Sequence, residues 1–109
     1  MTTQYQIIYW RDIPAQVKVK AGRKRAGRPL SDRFPVTIDE AAMRTGKTES
    51  DAYLAEWRNS GWQERDGELE TDMVALADVL VAELEAAYPP PRLRQLIQNG
   101  GLEAVGDAL

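Results

Sequence analysis

The chain has 109 residues, no cysteine, no histidine and a formal net charge of −3. That length holds one domain with its own core. The missing residue types exclude disulfides, thiol catalysis, thiolate zinc sites, histidine-based triads and histidine-ligated haem.

The charge is uneven. Residues 1–33 hold Arg11, Lys18, Lys20, Arg23, Lys24, Arg25, Arg28 and Arg33 against Asp12 and Asp32, and the remainder is acidic. Such a split points either to an internal electrostatic clasp or to a basic surface for an anionic partner.

Tyr5 to Trp10 is rich in β-branched and aromatic residues and predicts a strand. Tyr5, Ile7 and Tyr9 fall on one face and Ile8 and Trp10 on the other, the pattern of a central strand or one covered on both sides. Arg11-Asp12-Ile13-Pro14 breaks the run, because proline lacks a donor for a central ladder. Ala15, Val17 and Val19 then alternate with Gln16, Lys18 and Lys20, which predicts a half-exposed second strand antiparallel to the first. Its exposed lysines discourage edge-to-edge association.

Gly22, Gly27 and Pro29 mark 21–30 as a loop. Ser31 and Asp32 are helix-start residues. Phe34, Ile38, Ala41, Ala42 and Thr45 recur at helical spacing, with Gly46 as the C-cap, so a helix is expected over 33–45. Thr48-Glu49-Ser50-Asp51 has the form of a capping box, and a helix over 49–59 is expected to bury Tyr53, Leu54 and Trp57 before Gly61 ends it. Residues 62–65 form a short strand candidate. Asp66-Gly67 is a tight-turn signal, with 68–70 returning from it. The apolar stripe of Leu69, Met73, Leu76, Leu80, Leu84 and Ala87, widened by Val74, Ala77 and Val81, predicts a helix over 72–87. Pro89-Pro90-Pro91 stops it, and Pro91 opens a last short helix over 92–98. The final residues are expected as a loose helical turn.

Several motifs bear on chemistry. Lys18, Lys20, Arg23, Lys24, Arg25 and Arg28 place six cations within eleven residues. Gly27-Arg28-Pro29, with Lys24 and Arg25 upstream, resembles the AT-hook arm, but Ala26 stands at the first arginine of that core. The plain alternative is a solvated loop paired with the acidic helices. The loop also has little aromatic interleaving, which argues against stacking on single strands. Residues 38–57 imitate a helix-turn-helix, but Glu49, Asp51 and Glu56 on the second helix would repel phosphate, so an ordinary helical hairpin is the better account. Thr45-Gly46-Lys47-Thr48 lacks the leading glycine and the strand context of a P-loop. Asp66, Glu68, Glu70 and Asp72 alternate like a calcium loop, but with the glycine and closing glutamate misplaced; acids there favour the following helix dipole. Trp10, Trp57 and Trp62 read first as core, with one of the latter two free to serve a partner. Pro89-Pro90-Pro91-Arg92 reads as a helix stop before it reads as a polyproline ligand.

Ile8-Tyr9-Trp10-Arg11-Asp12-Ile13-Pro14-Ala15-Gln16-Val17, Leu30-Ser31-Asp32-Arg33-Phe34, Ile38-Asp39-Glu40-Ala41-Ala42-Met43 and Asp51-Ala52-Tyr53-Leu54-Ala55-Glu56-Trp57 together resemble the bacterial virulence factor (conserved virulence factor) domain family. The resemblance covers roughly the first 85 residues. It implies a stand-alone protein or a terminal module of larger scaffold-like proteins, named for an association with virulence, and it brings no catalytic residues.

The expected architecture is α+β: a small antiparallel sheet of an N-terminal hairpin plus a short third strand, packed with three to four helices. Residues 1–88 form the main unit and 89–109 a short helix and tail of the same domain. The expected function is a non-catalytic interaction or accessory module with a protein partner, no cofactor and no metal. The alternative is a nucleic-acid-binding regulator. The residues expected to carry either role are Arg11, Lys18, Lys20, Arg23, Lys24, Arg25 and Arg28. Arg11 and Asp12 are the polar pair to inspect for an enzyme, with an arginine–carboxylate lock of the turn as their structural role. No apolar run has the length of a membrane span, and the N-terminus lacks a signal-peptide pattern, so the expected location is the cytoplasm.

Overall fold

The computed structural model describes residues 2–66 and 72–103. Nine elements follow in order: β1 (Thr2–Trp10), β2 (Ile13–Ala21), β3 (Lys24–Pro29), α1 (Arg33–Thr45), α2 (Ser50–Leu54), β4 (Trp57–Asn59), β5 (Gln63–Asp66), α3 (Asp72–Ala87) and α4 (Pro90–Gln98). The fold is α+β, a five-stranded antiparallel sheet with four helices.

The sheet runs β3-β2-β1-β4, with β5 also on β1. β4 pairs with Ile8–Trp10 and β5 with Thr2–Tyr5, so both continue one another along the same edge of β1. Ser60, Gly61 and Trp62 fill the break; the Ser60 amide donates to Ile7 O at 2.9 Å and the Ile7 amide to Ser60 Oγ at 3.0 Å. Between β1 and β2 the register shifts at Ile8/Tyr9, which leaves Ala15 unpaired. Its carbonyl accepts instead from the Leu30 amide at 3.0 Å. Pro14 lies beyond the reach of β3, whose pairing with β2 starts at Gln16, so its missing donor breaks no ladder.

Two helical layers divide the sheet. α3 covers one face of β2: Val17, Val19 and Ala21 pack with Met73, Ala77 and Leu80. A second cluster closes the end of the sheet where Trp10 and Ile13 meet Phe34, Ile38, Leu93 and Leu96 of α1 and α4. Trp10, Ile13 and Phe34 are fully buried, each contributing about 1.5–3 kcal/mol of hydrophobic stabilisation. α1 spans the residues its apolar spacing predicts, and Gly46 at φ 73° caps it with its amide directed at Ala42 O and Met43 O.

Three expectations change. Residues 24–29 are a strand, not part of a loop: Ala21 pairs with Lys24 across the two-residue turn Gly22-Arg23, with Gly22 at φ 62°. KRAGRP has no β-branched or aromatic residue, so its strand state comes from pairing with β2 and from the contact of Ala26 with the α3 cluster. The helix expected over 49–59 ends at Leu54, and Trp57 turns to pair with Trp10 on the edge of β1. Leu54 is thereby left 62 % exposed. The capping-box expectation fails as well: Glu49 occupies the N-cap and makes no side-chain cap bond. The Gly67 turn, the return over 68–70 and the final turn lie outside the described residues. Among the described residues no helix is long and apolar enough to cross a membrane.

Candidate functional site

The fold separates the seven cations singled out in the sequence. Arg11 stands apart from the rest. It occupies the tight turn between β1 and β2 at φ 53°, a left-handed conformation that a side chain rarely adopts. The strained turn is held on several sides. The Arg11 amide donates to Glu56 O at 3.0 Å, its Nη1 to Gly100 O at 2.9 Å, and the Asp12 amide to Gly101 O at 2.8 Å. Arg11 Nε lies 3.2 Å from Glu56 Oε1, but off the N–H direction, so this contact is ionic and not a hydrogen bond. The Arg11 side chain is 14 % exposed. Asp12 does not pair with its neighbour: it accepts from Arg58 Nη2 at 3.0 Å and from the Glu103 amide at 2.7 Å. The two residues therefore lock the turn through separate partners.

Strand alternation sorts the others. Register places Lys24, Ala26 and Arg28 opposite Ala21, Val19 and Val17, on the face covered by α3. Arg28 Nε bonds Asp78 Oδ1 of α3 at 3.0 Å. The Gly-Arg-Pro segment is thus a paired strand whose arginine is engaged, not a free arm. Lys18, Lys20, Arg25 and Gly27 lie on the opposite face, and Arg23 sits at the hairpin tip. Among the described residues, no carboxylate pairs with Lys18, Lys20, Arg23 or Arg25.

The open face also gains an aromatic group from outside the basic segment, one of the two tryptophans expected to be free for a partner. Trp62, from the break between β4 and β5, reaches across β1 to β2. Lys20 Nζ stands 4.1 Å from its ring centroid, a contact worth about 0.5–1 kcal/mol at an exposed site. Between Trp62 and Arg25 lies a cleft of about 330 Å³, lined also by Lys18, Val19, Ala26 and Gly27. A side chain at Gly27 would have its Cβ 3.6 Å from Val17 O, an ordinary contact. The cleft therefore stays open because position 27 is glycine, and not because the backbone requires one. Glu64, opposite Gln4 on β5, is a carboxylate that register puts on this face.

The rest of the surface offers little acid–base chemistry. Among the described residues no group of three or more His, Cys, Asp or Glu could hold a metal ion. The Asp66–Asp72 alternation falls largely outside the described residues. Burial raises the pKa of Tyr9, Tyr53 and Tyr88 above the usual phenol value. The hydrogen bond from Arg65 holds the exposed Glu83 carboxyl below its usual value. A second cleft, of about 230 Å³, runs between α1 and the sheet end, with Asp39 as the one carboxylate in its lining.

A family model described as virulence factor matches residues 8–97. No curated protein and no solved structure matches the chain.

Proposed function

From the premise that the chain belongs to the virulence factor family, whose description names no reaction, we propose that it is a non-catalytic interaction module of the cytoplasm that takes an anionic partner on the open sheet face. The observation that carries this is the sorting of the cations: Lys18, Lys20 and Arg25 share a face with no carboxylate partner among the described residues, while Arg11 and Arg28 are engaged within the fold. Unpaired cations beside a concave surface attract anions and raise encounter rates. A catalytic role finds no support in a chain without histidine or cysteine, whose Arg11–Asp12 pair is tied into the turn.

The test is retention on an immobilised sulfated polysaccharide. The double variant Lys18→Gln/Arg25→Gln is expected to elute at clearly lower salt than the parent chain, and Arg28→Gln close to it. Equal retention of all three would contradict the proposal.

A further inference from the structure

Resting on the anionic-partner reading, we propose that the cleft between Trp62 and Arg25 receives a base of single-stranded nucleic acid, with the adjoining phosphates on Lys18, Lys20 and Arg23. The chemistry of the two walls selects this class of partner. Trp62 presents an indole face across β1, and Arg25 a guanidinium from β3. Both are flat groups on which an aromatic ring stacks. The glycine floor at position 27 leaves a slot of about 330 Å³ between them.

The indole face toward β2 is held in the free protein by Lys20 Nζ, 4.1 Å away. An ammonium on a flexible stem is an exchangeable occupant: when a base takes the ring, the lysine is released to a phosphate one step along the strand. Lys18 and Lys20 are two residues apart on β2, about 7 Å by strand geometry, and an extended single strand spaces its phosphates comparably. Glu64 on β5 repels phosphate from the far edge and favours a path along β2 and β3.

Other polyanions use less of this site. A duplex keeps its bases stacked on one another and offers no ring to the slot, and among the described residues no helix lines the cleft to enter a groove. An acidic peptide satisfies the cations but leaves the indole–guanidinium slot without a flat occupant.

The test uses the full chain, isotopically labelled, with three probes at one fixed salt: a ten-nucleotide oligothymidylate, a duplex of the same length, and decaglutamate. The inference predicts that oligothymidylate binds most tightly and shifts the Trp62 indole N–H together with the amides of Lys18, Arg25 and Gly27. Trp62→Ala weakens it roughly 10-fold, and Trp62→Phe, which keeps a π face, restores most of that loss. A Trp62→Ala chain with unchanged circular dichroism excludes unfolding as the cause. If decaglutamate or the duplex binds as tightly as oligothymidylate and Trp62→Ala is neutral, the single-strand inference falls while the anionic-partner reading stands. If no probe shifts the amides of the open face, both fall.

Discussion

The closed end of the sheet and its open face use the same residue types in opposite ways. At the closed end four arginines have carboxylate partners: Arg11 with Glu56, Arg58 with Asp12, Arg92 with Glu103 and, at the junction of α1 with α3, Arg33 with Glu85. Two of them also lie over tyrosine rings, Arg58 on Tyr9 at 4.4 Å and Arg92 on Tyr88 at 4.0 Å. On the open face Lys18 and Arg25 are exposed, with solvent around their charges. The difference teaches that charge in a sequence carries no role until topology assigns one. Lys24 and Arg25 are neighbours in the chain, yet one strand step sends them to opposite faces.

Substitutions at the closed end should act on stability alone, and with the largest effects. Gly101→Ala places a Cβ 3.0 Å from Trp10 Cζ3 at a φ of 92°, and should lower unfolding free energy by about 2–4 kcal/mol in urea titration. Arg11→Ala leaves Glu56 with its Lys47 contact at 3.6 Å and removes the bond to Gly100 O. A loss of about 2–3 kcal/mol is expected, since the arginine is mostly buried. Anion binding by the folded fraction should be unchanged in both variants. A binding defect in folded Arg11→Ala would break the comparison, because it would give the clasp a role at the partner surface.

Substitutions on the open face should do the reverse. Gly27→Val fills the slot while keeping every cation, and it replaces a strand glycine at a position with room for a Cβ. Stability should rise by about 0.5–1 kcal/mol, while oligothymidylate affinity falls. An unchanged affinity would show that the slot is not used.

The smallest effect is alkaline. Burial raises the folded-state pKa of Tyr9 and Tyr88 above the ordinary value of 10.0. A raised folded pKa means the folded state holds its proton more tightly. The associated stability is thus fully present below pH 10 and is lost as pH rises through the higher folded value. Tyr88→Phe should flatten the fall in stability above pH 10 and leave neutral-pH anion binding untouched.

Much of the closed end was legible in the sequence. The spacing of Phe34, Ile38, Ala41 and Ala42 and the cap at Gly46 are local signals, and α1 follows them. The apolar stripe did the same for α3. The open face was less legible, because its parts are local to nothing. KRAGRP lacks strand propensity and reads as a loop, yet β2 and α3 hold it as a strand. Gly22 at the first turn position was the signal available for a hairpin. The six clustered cations suggested one patch, and alternation divides them. The aromatic group missing from that segment arrives from Trp62, across β1, a contact that depends on the sheet order β2-β1-β5 and on no pattern within the basic segment.

The most direct measurement of the sorting is the salt dependence of oligothymidylate affinity for Lys18→Ala and Arg28→Ala, two cations on opposite faces of the β2–β3 pair. Each phosphate contact on a single strand contributes about −0.7 to the slope of log affinity against log salt. The predicted result is a slope reduced by about that amount in Lys18→Ala and the parent slope in Arg28→Ala, whose guanidinium is held by Asp78. Equal reductions in both variants would mean that the two faces of the sheet act as one surface, and would contradict the account.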